Sequence, residues 1–161
     1  LEIIGDLNFY QSSNYNNYNG NLLRKYNNLD KDILNDELFK YLVQTFKEQV
    51  DKVSPIITKY IQVHQIRVYA NDSSTKLVPE GIHQDGYNFI AISCIKRENI
   101  KEGINNIYDS NKSDNCFSNV LNEGEILILN DRKMFHDVTN IELDNLNKIG
   151  YRDIFVFTTV S

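Results

Sequence analysis

Between residues 38 and 53 apolar side chains recur every three or four positions. Leu38, Phe39, Leu42, Val43, Phe46, Val50 and Val53 are separated by Lys40, Gln44, Lys47 and Glu48. That is the period of a helix with one buried face. Asn35 or Asp36 can cap its start, and Pro55 ends or kinks it. Such a stripe predicts packing on the outside of a sheet. Beyond it the period shortens. Residues 61–70 alternate, with Gln65, Arg67 and Tyr69 on one face and His64, Ile66 and Val68 on the other. The polar face either lines a ligand cavity, as on a barrel strand, or meets solvent. Residues 89–95 form a continuous apolar run, which reads as a buried strand. Residues 105–109 are a short strand at best, and 117–121 a further edge. Residues 124–131 give a turn and a buried strand, and 151–159 a final strand. One helix before seven or eight short strands reads as mainly β with flanking α. By pattern alone it is a sandwich or a jelly roll.

No repeat or linker interrupts the chain, so residues 1–161 read as one domain. Within it, 1–35 is a loop or lid-like segment, 36–60 a flanking helix and 61–161 the core. The first part is rich in Asn and Tyr, including Tyr10, Asn14, Tyr15, Asn16, Asn17, Tyr18, Asn19 and Asn21. Asn and Gly favour turns. The segment reads either as a surface loop or as a mobile cover whose tyrosines contact a substrate.

The composition is that of an ordinary globular chain: 41% hydrophobic and 24% charged residues in 161. With net charge −5 and no basic run, nucleic acid is not an expected partner. Cys94 lies in an apolar run and Cys116 in a polar loop. Two cysteines make no disulfide framework, which points to a reducing cytoplasm. No signal peptide and no run of about eighteen apolar residues is seen, so export and membrane insertion are not expected. The chain begins at Leu1 and stops just after a strand, as a trimmed segment would.

The candidate chemistry sits in Val78-Pro79-Glu80-Gly81-Ile82-His83-Gln84-Asp85-Gly86. In extended backbone His83 and Asp85 point the same way, placing an imidazole beside a carboxylate. A second histidine, His136, follows the strand at 124–131, 51 residues beyond Asp85. Two His and one carboxylate make a facial triad that leaves three positions open on a non-haem Fe(II). Arg152, near the start of the last strand, offers the planar fork that clamps a carboxylate.

These residues resemble the Fe(II)/2-oxoglutarate-dependent dioxygenases. The wording is similar to a bacterial branch that includes the free L-isoleucine 4-hydroxylases. The phrases that carry the likeness are the one around His83, Arg97-Glu98-Asn99-Ile100-Lys101, Asn130-Asp131-Arg132-Lys133-Met134-Phe135-His136-Asp137-Val138-Thr139 and Tyr151-Arg152-Asp153-Ile154. They cover roughly residue 60 onward. Glu102-Gly103 stands where that branch would have a Gly-Gly pair. The resemblance implies a double-stranded β-helix (a jelly roll, cupin-like) with Fe(II) on His83, Asp85 and His136. It also implies 2-oxoglutarate chelating the iron and meeting Arg152, and O₂ in the last position. It implies hydroxylation of an unactivated C–H of a free, aliphatic L-amino acid, with succinate and CO₂ released.

Gln65, Arg67, Tyr69 and Arg132 are further candidates for the pocket. Arg67 with Asp131 or Asp137 could pair with a zwitterion. His64 reads as structural. The alternatives are the same chemistry on a peptide- or carrier-bound residue, and a cupin-like module that holds a metal or an acid without turnover.

Overall fold

A computed structural model describes residues 4, 8–14, 20–71 and 74–160. Among the described residues two helices precede the strands. The first, α1 (Lys31–Asn35), is a single turn inside the stretch expected to be loop. The second, α2 (Glu37–Val53), is capped by the Asp36 carboxylate, which accepts from Phe39 N at 3.0 Å. Its buried residues Phe39, Leu42, Val43, Phe46 and Val50 come from the stripe read from the sequence, whose end members Leu38 and Val53 are instead exposed.

Nine strands follow among the described residues: β1 (Tyr60–Ala70), β2 (Phe89–Glu98), β3 (Ile100–Glu102), β4 (Ile104–Tyr108), β5 (Asn115–Val120), β6 (Ile126–Asn130), β7 (Phe135–Val138), β8 (Ile141–Leu143) and β9 (Gly150–Val160). They form a four-stranded sheet in the order β1-β9-β2-β6, a three-stranded sheet β5-β4-β7 and a small β3-β8 pair. All the pairings are antiparallel. A backbone bridge between His83 and His136 adds the His83 segment beside β7. Two facing antiparallel sheets with helices on one outer side are the expected jelly roll.

Side-chain alternation along β9 divides the interior. Phe155 and Phe157 face α2, where they join Phe39, Phe46, Phe89 and Ala91. Phe46 and Phe157 are fully buried with ring centroids 5.9 Å apart, and burying one such side chain contributes about 1.5–3 kcal/mol. Arg152, Ile154, Val156 and Thr158 face the other way, toward the second sheet. Ile90, Ile107 and Leu129 fill part of the space between the sheets, and the rest is a cavity.

Two local irregularities position the site. A bulge between Cys94 and Lys96 shifts the β2 register, so Arg97 rather than Lys96 comes opposite Arg152. Cross-strand partners share a face, and the inner face thereby gains a second guanidinium. At the start of β9, Gly150 lies in a tight cradle. A Cβ there would sit 2.5 Å from Leu143 Cδ2 and 2.6 Å from the Asn99 carbonyl oxygen.

Candidate metal centre and its pocket

The segment carrying His83 and Asp85 connects β1 to β2, and His136 lies on β7. The two histidines exchange backbone hydrogen bonds, His83 N to His136 O at 3.0 Å and His136 N to His83 O at 2.9 Å. Main-chain pairing therefore fixes their spacing, and the ring centroids lie 4.3 Å apart. Asp85 reaches between the rings. One carboxylate oxygen is 3.6 Å from His83 Nε2 and the other 3.5 Å from His136 Nε2. One donor atom from each of the three residues lies within 4.8 Å of the others. Two donors bound to one first-row ion at about 2.1 Å each lie at most about 4.2 Å apart, so the Asp85–His spacings fit a shared ion. His83 Nδ1 is 2.8 Å from the Gly81 carbonyl oxygen, to which it donates. This leaves the Nε2 lone pair directed at Asp85. Burial pushes the Asp85 carboxyl upward, but the neighbouring His136 and His83 outweigh it and hold the group far below the usual carboxylate range.

The loop is held from beneath by Asp131, which is 1% exposed. Its carboxylate accepts from three successive backbone N–H groups, those of Asp85 at 3.1 Å, Gly86 at 2.7 Å and Tyr87 at 3.0 Å. Its carbonyl accepts from Gln84 Nε2 at 2.6 Å. Asp131 Oδ1 is also 3.8 Å from His136 Nδ1, too far for a hydrogen bond, so it acts on that ring through its charge, which favours a proton on the nearer nitrogen and a free Nε2. Burial pushes the Asp131 carboxyl up, against the N–H groups that stabilise its anion.

Beside the triad is a cavity of about 270 Å³. Its walls are apolar, with Ile66 and Val68 from β1, Ile92 from β2, and Ile154 and Val156 from β9. Arg152 lies in the same wall. It is 4% exposed, its Nη2 donates to Asn105 Oδ1 at 3.4 Å, and its buried Nε has no hydrogen-bond partner among the described residues. Burial lowers its pKa, with nearby Arg97 acting the same way, so an incoming anion would relieve it. The N-terminal arm supplies a further part of the wall through Phe9, Gln11, Arg24 and Tyr26. Phe9 and Arg24 pair as an antiparallel bridge. Gln11, itself buried, donates to the Asp85 carbonyl oxygen at 3.0 Å and to its carboxylate at 3.3 Å.

The structure brings His83, Asp85, His136, Arg152 and Asp137 to one cavity and places Gln65, Arg67, Tyr69 and Arg132 outside its lining. Gln65, Arg67 and Tyr69 lie on the opposite face of β1, exposed beyond the cover of α2. Arg67 makes two 2.6 Å bonds to Asp153 there and stacks 4.2 Å from the Tyr151 ring. The apolar face lines the pocket, and with it His64, read from sequence as structural. Arg132 is exposed in the turn after β6, bonded to Asn88 Oδ1 at 3.2 Å. Asp131 is the loop anchor described above. Asp137 borders the cavity, its carboxylate accepting from Asn106 at 2.8 Å and Tyr108 at 3.2 Å.

The cover expected at 10–21 falls partly on residues 15–19, which lie outside the described residues. Tyr10 is 57% exposed, and the arm reaches the site through Phe9, Gln11, Arg24 and Tyr26 instead. The signal that marks them is the alternation Phe9-x-Gln11 and Arg24-x-Tyr26 flanking Asn19-Gly20, a hairpin pattern. Among the described residues no helix is long and apolar enough to cross a membrane.

A family model described as 2OG-Fe dioxygenase matches residues 3–158. Among solved structures, a bsmA homolog from Methylobium petroleophilum PM1 superposes with TM-score 0.86 at 22% identity, covering 99% of this chain and 65% of that one. IDO from Bacillus thuringiensis gives TM-score 0.76 at 23% identity, covering 89% and 64%. The Fe(II)/(alpha)ketoglutarate-dependent dioxygenase TqaL gives 0.68 at 17%, covering 83% and 57%. The chain thus spans less than two thirds of the length of each of these structures, and at these identities they speak for the fold. No curated protein matches. The chain belongs to the 2OG-Fe dioxygenase family, whose chemistry uses Fe(II), 2-oxoglutarate and O₂.

Proposed function

We propose that this family member hydroxylates an unactivated C–H bond of a free, aliphatic L-amino acid. In the balanced reaction O₂ and 2-oxoglutarate are consumed, succinate and CO₂ are released, and one oxygen atom enters the substrate. His83, Asp85 and His136 would hold Fe(II) through two Nε2 atoms and a carboxylate oxygen. The iron, once bound, supplies the oxidising chemistry. The chain's own residues bind, orient and exclude water. Arg152 would take the distal carboxylate of 2-oxoglutarate as a charge-assisted pair. The apolar wall of Ile66, Val68, Ile154 and Val156 would press an aliphatic side chain toward the metal.

One observation carries this reading. A cavity of about 270 Å³ has three metal donors on one side and a buried, carboxylate-free arginine in its wall. Among the described residues no carboxylate lies in ion-pair range of Arg152. The likeness of the chain's phrases to isoleucine 4-hydroxylases supports the substrate class. Residues 1–161 are proposed to act as one dioxygenase domain.

The test is anaerobic titration of the metal-free protein with Fe(II) and then 2-oxoglutarate, following the visible charge-transfer band of the chelate. The band should form in wild type, be absent in His83→Ala, and need far more 2-oxoglutarate in Arg152→Ala. A succinate-release screen over free amino acids then follows. A folded protein that forms no band refutes the assignment. Band formation without succinate release on any amino acid refutes the substrate class alone.

A further inference from the structure

Among the described residues, three polar atoms buried in or against the cavity wall have no hydrogen-bond partner: Arg24 Nε, a ring nitrogen of His64 and Thr158 Oγ1. They gather away from Arg152. On β9, Thr158 is six residues past Arg152, and His64 on β1 pairs with Val156. At about 3.3 Å per residue these positions lie roughly 13–20 Å from Arg152 along the strand. Arg24 reaches the same end from the arm. Its guanidinium stacks 4.4 Å from the centre of the Phe9 ring, and Phe9 in turn packs edge-on against His64 at 4.8 Å. Nη2 of Arg24 donates to Gln11 Oε1 at 3.3 Å, and Gln11 is the residue that touches Asp85. The arm thus connects this cluster to the metal site through one side chain.

Leaving a buried polar group unpaired is costly, so three in one place call for a ligand that satisfies them together. The group must accept hydrogen bonds and be anionic. A planar carboxylate matches the guanidinium fork, whereas an ammonium would meet only repulsion from it.

We propose that Arg24, with His64 and Thr158 beside it, is the receptor for the substrate's carboxylate. The arm then reads the acid end of the substrate, while Arg152 reads the acid end of the cosubstrate. This rests on the dioxygenase reading and deepens it. The substrate is a small molecule whose carboxylate is free, rather than amide-linked in a peptide or ester-linked to a carrier. Its aliphatic part lies along Val156 and Ile154 toward the triad.

The experiment uses the full chain loaded anaerobically with Fe(II) and 2-oxoglutarate. Calorimetric titrations compare free aliphatic L-amino acids, alanine through isoleucine, with their matching carboxamides. The members of each pair differ only in the carboxylate. One charge-assisted pair is expected to favour the best-bound acid about 10- to 100-fold over its amide. Arg24→Gln should erase that preference by weakening the acid alone. Arg24→Lys should keep part of it, because it retains the charge but loses the fork. Both variants should form the 2-oxoglutarate band at the wild-type cosubstrate concentration, which also shows that they are folded. An acid preference surviving in Arg24→Gln with the band intact overturns the proposal. So does a wild type that binds acids no better than amides. Failure of the band in wild type strikes the dioxygenase reading instead, so the two failures are distinguishable.

Discussion

Replacing Asp131 by Asn changes one atom and tests how the metal loop is held. The carboxylate accepts from three N–H groups at 2.7–3.1 Å, each charge-assisted and worth about 1.5–3 kcal/mol. In the variant the amide oxygen can take the place of Oδ2 and keep the bonds from Gly86 and Tyr87, weakened by loss of charge. The amide nitrogen then occupies the Oδ1 position and faces the Asp85 N–H, donor against donor. One bond is lost and two are weakened. Relief of the cost of burying a carboxylate offsets part of this. The net expectation is about 2–4 kcal/mol of lost stability, read from urea unfolding, and a Tm about 4–16 °C lower for a domain of this size. A second effect is separable. The neutral amide removes the negative charge that stood 3.8 Å from His136 Nδ1, and with it the field that favours a proton on Nδ1 over one on Nε2, the atom facing Asp85. Metal affinity should therefore fall about 10- to 100-fold, measured by Co(II) titration under conditions where the variant is fully folded. A variant within about 0.5 kcal/mol of wild type that binds Co(II) equally well would refute both parts.

The metal itself should stabilise the fold. With the ion at a hundred times its Kd, the linkage gain is about 2.7 kcal/mol. A chelator should then lower Tm by about 5–10 °C in wild type and not at all in His83→Ala, by calorimetry. Phe46→Ala empties a fully buried site against Phe157 and should cost about 3–5 kcal/mol in denaturant unfolding, with cosubstrate affinity unchanged in the folded fraction. Gly150→Ala drives a methyl into the Asn99 carbonyl and Leu143 and should cost about 1–3 kcal/mol, with Arg152 two residues on; a neutral result would show that the β9 start can shift. Arg67→Ala, outside the cavity, should leave the 2-oxoglutarate requirement within about two-fold of wild type, and a larger change would place Arg67 in the site after all.

Periodic segments were legible in the sequence, and so was one convergence. The α2 stripe declared itself because a helix buries one face. His83 and Asp85 shared a direction because extended backbone alternates. What the pattern could not supply was which side of β1 faced the cavity. Polar Gln65, Arg67 and Tyr69 were plausible pocket residues, yet this cavity has hydrocarbon walls, so Ile66 and Val68 line it. The polar set emerges where α2 no longer covers the sheet. The three-residue strands β3 and β8 are too short to carry a period, and α1 is one turn. Arg97 reached the inner face through a bulge that residue spacing does not announce. Gln11 and Arg24 have no motif because their role arises from a tertiary placement, the arm folding across the mouth of a cavity built more than forty residues later in the chain.

The position of β9 has a consequence for how the chain comes to exist at all. It pairs with β1 on one side and β2 on the other, so the latest of the described strands to be synthesised is an inner one. Tyr60 waits for Val160, a hundred residues on. Until then β1 and β2 each present an unpaired apolar edge, the α2 stripe lacks Phe155 and Phe157, and the arginine at 152 has not been made. Such long-range closure folds slowly and leaves strand edges open to wrong partners during synthesis. A nascent chain halted between residues 137 and 149 carries all three candidate metal donors but no closed sheet to hold them, so on the ribosome the donor residues precede the fold that gathers them.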